Sequence, residues 1–89
     1  MGIRIPGTNT MRFPDKLIEE TRTLMEVKNV RSLSYTQQLR DYNLWCRAQA
    51  NPYSFELYVR PSTVENMSLP LKQAIESGQI NLWFIPGAK

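Results

Sequence analysis

A helix pattern set between two extended runs constrains this chain more than any other feature. Residues 22–28 read as a strand, and residues 53–60, rich in aromatic and β-branched side chains, read as another. Between them Tyr35, Leu39, Tyr42 and Cys46 recur at the spacing of one apolar helical stripe. Ser34 followed by Gln37 is a capping-box pattern, so a helix is expected over about 35–50, ended by Asn51-Pro52. The alternation then repeats. A second helix is expected over about 69–77, with Ser68 as its cap, Pro70 in its first turn and Gly78 at its end. Residues 80–85 form a last strand, stopped by Pro86-Gly87. Strands alternating with helices favour parallel crossovers on a mixed sheet.

The front of the chain is different. Residues 2–5 alternate, Pro6-Gly7-Thr8-Asn9 reads as a turn, and Met11-Arg12-Phe13 resumes an extended pattern that Pro14 closes. A hairpin-like pair is expected there. The order is therefore strand, strand, strand, helix, strand, helix, strand, an α/β (α+β) architecture with a mixed sheet. In the third strand Met25 and Val27 are expected to face the core, with Glu26 and Lys28 on the opposite face. In the fourth, Phe55, Leu57 and Val59 share one face.

A chain of 89 residues makes one domain, 1–89, and a small one. It buries only about 60–65% of its unfolded surface, so its stability margin is thin. Hydrophobic content of 42% and charged content of 21% fit a folded protein. No apolar run approaches the roughly 18 residues of a membrane span. The N-terminus lacks the apolar core of a signal peptide. Cys46 is the single cysteine and there is no histidine, so an internal disulfide cannot form, a zinc site has too few ligands and classical triad catalysis is not expected. Cys46 reads as a small core residue. The net charge of +3 is a mild lean towards polyanions that an ordinary solvated surface explains equally well. Trp45 and Trp83 are candidate partner-surface residues, although tryptophan is more often packed inside.

The candidate chemistry lies in Pro14-Asp15 and Glu26-Val27-Lys28. Glu26 and Lys28 are two apart on a strand and point the same way. If a turn folds this strand beside the segment at Asp15, two carboxylates and an ammonium converge. The mutual repulsion of the carboxylates is relieved by a divalent cation, and hard oxygen ligands suit magnesium or manganese. A lysine beside such an ion can orient an attacking water and help deprotonate it, while the ion stabilises charge on a phosphate. The bland alternatives stand beside this. Charges alternate on many exposed strand faces, and Asp15 can equally cap a short turn through residues 16–20. Gln38 and Tyr42, four apart on one helical face, are equally a boundary residue and a core aromatic.

These motifs resemble the PD-(D/E)XK site of restriction-endonuclease-like nucleases, and Gln38-x-x-x-Tyr42 resembles the element that supports that site in one branch of them. Arg12-Phe13-Pro14-Asp15, Met25-Glu26-Val27-Lys28-Asn29-Val30, residues 34–42, Leu57-Tyr58-Val59-Arg60-Pro61-Ser62-Thr63 and Ile80-Asn81-Leu82 are together similar to restriction-endonuclease-fold toxin domains of bacterial polymorphic toxins, including Rhs-type and contact-dependent inhibition proteins. The resemblance runs from about Arg4 to Ile85. It implies a metal-dependent endonuclease, with DNA the favoured substrate and RNA the variant, delivered into the cytoplasm of a target bacterium and neutralised by a cognate immunity protein. Asp15 and Glu26 would hold Mg2+ or Mn2+, with the Val27 carbonyl a further ligand. Lys28 would act on the attacking water, Gln38 and Tyr42 would support the site or the phosphate, and Arg12 and Arg60 would meet the nucleic-acid backbone. A guanidinium at a strand end, as at Arg60, is also commonly solvated or salt-bridged.

One departure from the pattern is expected to matter. Nucleases of this fold usually carry a helix before the first strand, often with another acidic residue of the site, and here the residues before Arg12 include no acidic one. A homodimer or the immunity protein would then cover the surface such a helix covers. The alternative function is a catalytically inactive remnant that binds nucleic acid or the immunity protein.

Overall fold

The computed structural model describes residues 1–89. Two short strands open it, β1 (Ile3–Arg4) and β2 (Met11–Arg12), paired antiparallel as a small separate sheet. Gly7, at φ +75°, supplies the left-handed residue of their connection, and Thr8 Oγ1 donates to the Ile5 carbonyl at 2.9 Å. Ile3 and Ile5 both reach the main core, so the hairpin is anchored by apolar burial and not by its few ladder bonds.

The main sheet has four strands in the order β3-β4-β5-β6. β3 (Lys16–Ile18) and β4 (Thr23–Lys28) are antiparallel, with Leu17 opposite Leu24. Their tight connection places Arg22 at φ +50°, and the Arg22 N–H donates to the Glu19 carbonyl at 3.1 Å. β3 corrects the reading of residues 16–20 as a turn capped by Asp15. Its three residues are too few to show a period, and its strand character comes from pairing with β4. The structure thus has one strand more than the sequence order implied.

β5 (Ser54–Val59) lies parallel to β4, and β6 (Asn81–Phe84) lies parallel to β5. Helix α1 (Gln37–Ala48) makes the first crossover. A 3-10 turn (Pro61–Asn66) and helix α2 (Leu69–Glu76) make the second. The α1 cap is Thr36, whose hydroxyl accepts from the Leu39 N–H at 3.3 Å, and not the expected Ser34. The α2 cap is Ser68, as expected, and Gly78 at φ +84° follows its end.

Leu39, Tyr42 and Cys46 of α1 pack on Phe55, Leu57 and Val59 of β5, and the Tyr42 and Phe55 rings meet edge-on with centroids 5.9 Å apart. This helix-covered face also takes Leu24 and Glu26. The expected parity of β4 is therefore reversed. Glu26 is 3% exposed, whereas Val27 is 44% exposed and Met25 only half-buried. The helices reward Leu24, and strand alternation then carries Glu26 and Lys28 inward with it. The opposite face bears Val27, Tyr58 and Trp83. Trp83 is 50% exposed, stacks on Tyr58 at 6.3 Å and donates Nε1–H to Glu56 Oε1 at 3.2 Å. Trp45 is half-buried against Tyr53. No helix is long and apolar enough to cross a membrane.

Candidate active site

The β3–β4 register sets Lys16 opposite Met25, which puts Asp15, just before β3, across from Glu26. Two hydrogen bonds lace the pair. The Asp15 backbone N–H donates to Glu26 Oε1 at 3.1 Å, and the Val27 N–H donates to Asp15 Oδ2 at 2.8 Å. Asp15 is exposed and Glu26 buried, so the two carboxylates meet where the core opens to solvent.

Lys28, two residues beyond Glu26, shares its face. Its Nζ lies 3.2 Å from Glu26 Oε2 and donates to Gln38 Oε1. Gln38 Nε2 in turn approaches the Tyr42 hydroxyl at 3.5 Å, one helical turn along α1. Asp15, Glu26, Lys28, Gln38 and Tyr42 thus form one continuous set of contacts from β3 across β4 to α1.

Burial raises the Glu26 carboxyl above its usual value, and the nearby Asp15 charge adds to this. The Asp15 N–H and the Lys28 ammonium oppose the rise without cancelling it. The Tyr42 phenol is pushed up to about 12, first by burial and then by the Glu26 charge, so it stays neutral in ordinary conditions.

Arg12 and Arg60 have different settings. Arg12 Nε donates to Asp41 Oδ2 at 2.9 Å, and Gln37 Nε2 donates to Asp41 Oδ1 at 2.8 Å. Asp41 is only 7% exposed. The sequence reading missed Asp41, although the Gln37-x-x-x-Asp41 spacing on one helical face was a usable signal. Arg60 is half-buried just past β5, and its carbonyl accepts from the Thr63 N–H at 3.0 Å. Because Val59 pairs with Lys28, Arg60 sits at the same end of the sheet as Lys28, without contact to the laced carboxylates.

The donor set suits a hard divalent cation. Asp15 and Glu26 offer carboxylate oxygens, the Val27 carbonyl follows in the same strand, and a desolvated carboxylate with a raised pKa gains from a bound cation. No group of three or more acidic, cysteine or histidine side chains gathers here, so the protein supplies two carboxylates. The largest surface concavity, about 620 Å³, is lined by Ser32, Ser34, Asn66 and their neighbours and lies away from these groups. The candidate groups lie instead where exposed Asp15 meets buried Glu26.

A mixed sheet with a parallel helical crossover and few helices is consistent with a restriction-endonuclease-like fold. The chain belongs to the family described as restriction endonuclease fold toxin 7, whose model matches residues 3–71. The match runs from β1 into α2 and includes every candidate site residue. No curated protein and no solved structure matches the chain.

Proposed function

We propose that this domain is a metal-dependent endonuclease of the PD-(D/E)XK type, cutting DNA in preference to RNA, and that it acts as an antibacterial toxin domain. The observation that carries this is the laced pair Asp15 and Glu26 with Lys28 at 3.2 Å, in a chain of the restriction endonuclease fold toxin family.

Asp15 and Glu26, with the Val27 carbonyl, are the residues that would hold magnesium or manganese. When bound there, the ion supplies Lewis-acid stabilisation of charge on the scissile phosphate. The Lys28 ammonium would orient the attacking water and stabilise the hydroxide left when bulk solvent takes its proton. The hydroxide oxygen bonds to phosphorus as the ester oxygen leaves with the bridging electron pair and is protonated by solvent. Gln38 holds the Lys28 ammonium from one side while Glu26 holds it from the other, which fixes where Nζ points. Tyr42, neutral and buried, supports Gln38 and closes the floor of the site. Arg12 and Arg60 are the cations for the nucleic-acid backbone.

Membership in a toxin family supports the biological setting: delivery into the cytoplasm of a target bacterium by an Rhs-type or contact-dependent inhibition protein, and neutralisation by an immunity protein. A homodimer or that immunity protein would cover the half-exposed sheet face at Val27, Tyr58 and Trp83.

The test is cleavage by the purified chain of plasmid DNA and of total transfer RNA, separately, with magnesium, manganese or chelator. Metal-dependent cutting of plasmid is expected. Cutting of transfer RNA alone would reassign the substrate, and no cutting of either polymer by the folded chain would overturn the enzyme.

A further inference from the structure

We propose that Asp41 is a positioning residue that presents Arg12 as the phosphate-binding arm of the site, an inference that rests on the nuclease reading above.

Asp41 holds Arg12 by one atom only. The contact is Nε to Oδ2 at 2.9 Å, and the two terminal nitrogens of the guanidinium make no hydrogen bond within the chain. The planar fork of those nitrogens matches phosphate oxygens in a bidentate fashion. The other Asp41 oxygen is fixed by Gln37 Nε2 at 2.8 Å, so the carboxylate cannot rotate away from Arg12 without losing that bond.

The location fits. Arg12 ends β2, three residues before Asp15. Asp41 directly precedes Tyr42 on α1, the Tyr42 hydroxyl accepts from Gln38 Nε2 and Gln38 Oε1 holds Lys28, so the Arg12–Asp41 pair adjoins the site on the same helix. Without Asp41 the Arg12 cation, three residues from Asp15 in the chain, would be free to pair with that exposed carboxylate. Asp41 offers it a different anion, keeps it off the carboxylates and limits the rotamers it must lose on meeting a phosphate.

Removing Arg12 alone would strand a buried charge at Asp41 and threaten the fold. The working variant is therefore Arg12→Gln with Asp41→Asn, which removes both charges. Binding of a labelled DNA duplex is measured against salt concentration in chelator, where no cleavage intrudes. Cleavage kinetics follow in magnesium, and melting temperature is recorded throughout. The double variant is expected to lose about one unit of the logarithmic salt slope. Its KM should rise about tenfold or more, with kcat changed far less. Asp41→Asn alone should keep the slope, because the cation remains, and show an intermediate rise in KM. Arg12→Lys, which keeps a cation for Asp41, carries the test if the double variant does not fold, with a raised KM at unchanged slope.

Wild-type slope and KM in the double variant, or wild-type KM in Arg12→Lys, overturn the phosphate arm. Wild-type KM in Asp41→Asn overturns its positioning role. A wild-type chain that neither binds nor cuts overturns the nuclease reading and this inference with it, whereas a wild type that cuts beside variants with unchanged constants overturns the inference alone.

Discussion

Asp15 and Glu26 are tied crosswise: the Asp15 amide donates to the Glu26 carboxylate, and the amide that follows Glu26 in the chain donates to the Asp15 carboxylate. Neither bond joins the two carboxylates directly. Each carboxylate is instead fixed by a backbone N–H beside the other, which brings two like charges together. Desolvation of Glu26 is the cost of that arrangement, and it sets the first prediction.

Glu26 has a folded pKa raised above its unfolded value of 4.5. The folded state therefore binds the proton more tightly, and stability falls as pH rises from the unfolded value through the folded one. Burial of Glu26 therefore costs stability as pH rises above 4.5. Glu26→Gln is expected to raise the melting temperature at pH 7 and to flatten the change between pH 4.5 and 7 in thermal scans. Magnesium should raise the wild-type melting temperature at pH 7 and leave Glu26→Gln nearly unaffected.

Lys28 serves both fold and chemistry. Lys28→Met removes the cation beside a buried carboxylate and is expected to cost about 1–3 kcal/mol in denaturant titrations at pH 7. Cleavage should fall about 100–1,000-fold, the usual worth of one preorganised electrostatic donor. Gln38→Ala leaves the Lys28–Glu26 pair intact and should cost roughly tenfold in cleavage.

Tyr42 packs through its ring, and its hydroxyl, approached by Gln38 Nε2 at 3.5 Å, stays neutral below strongly alkaline pH. Tyr42→Ala should cost about 3–5 kcal/mol through the cavity left against Phe55. Tyr42→Phe keeps the ring and should cost about 1 kcal/mol or less. With its phenol raised from 10 to about 12, the unfolded chain ionises first, so Tyr42 contributes a loss of stability between those values that Tyr42→Phe abolishes. The pH–rate profile should show no Tyr42 limb below about 12.

Cys46 should be inert. Burial pushes its thiol up to about 12, with the Glu56 charge adding to the rise. A thiol reagent is expected to label the native chain at the rate of local unfolding and the urea-unfolded chain at once. Rapid native labelling would show that α1 opens readily from the sheet.

Where local pattern and tertiary packing agree, the fold was legible in the residues. Phe55, Leu57 and Val59 alternate inward, Ser68 and Gly78 bound α2, and β6 follows its apolar run. β4 was misread because apolar side chains occur at both parities. Met25 and Val27 look like the core pair, but Leu24 is the residue the helices cover, and the buried Glu26 is tolerated only because Asp15 and Lys28 satisfy it from outside the strand. β3 was invisible because three residues carry no period. Thr36 displaced Ser34 as the cap because helix entry depends on which hydroxyl reaches the Leu39 N–H. Of the site, the motif spacing indicated Asp15, Glu26, Lys28, Gln38 and Tyr42. Asp41 was missed because its partner Arg12 lies 29 residues away.

The most direct test of the central claim is single-turnover plasmid cleavage by Asp15→Asn in magnesium, beside calorimetric magnesium binding. Asparagine can still accept from the Val27 N–H, so the fold should stand while the negative charge is lost. Wild-type melting, much weaker magnesium binding and cleavage reduced at least 100-fold are the expected results. Cleavage at the wild-type rate by the folded variant would contradict the assignment of Asp15 and, with it, the site.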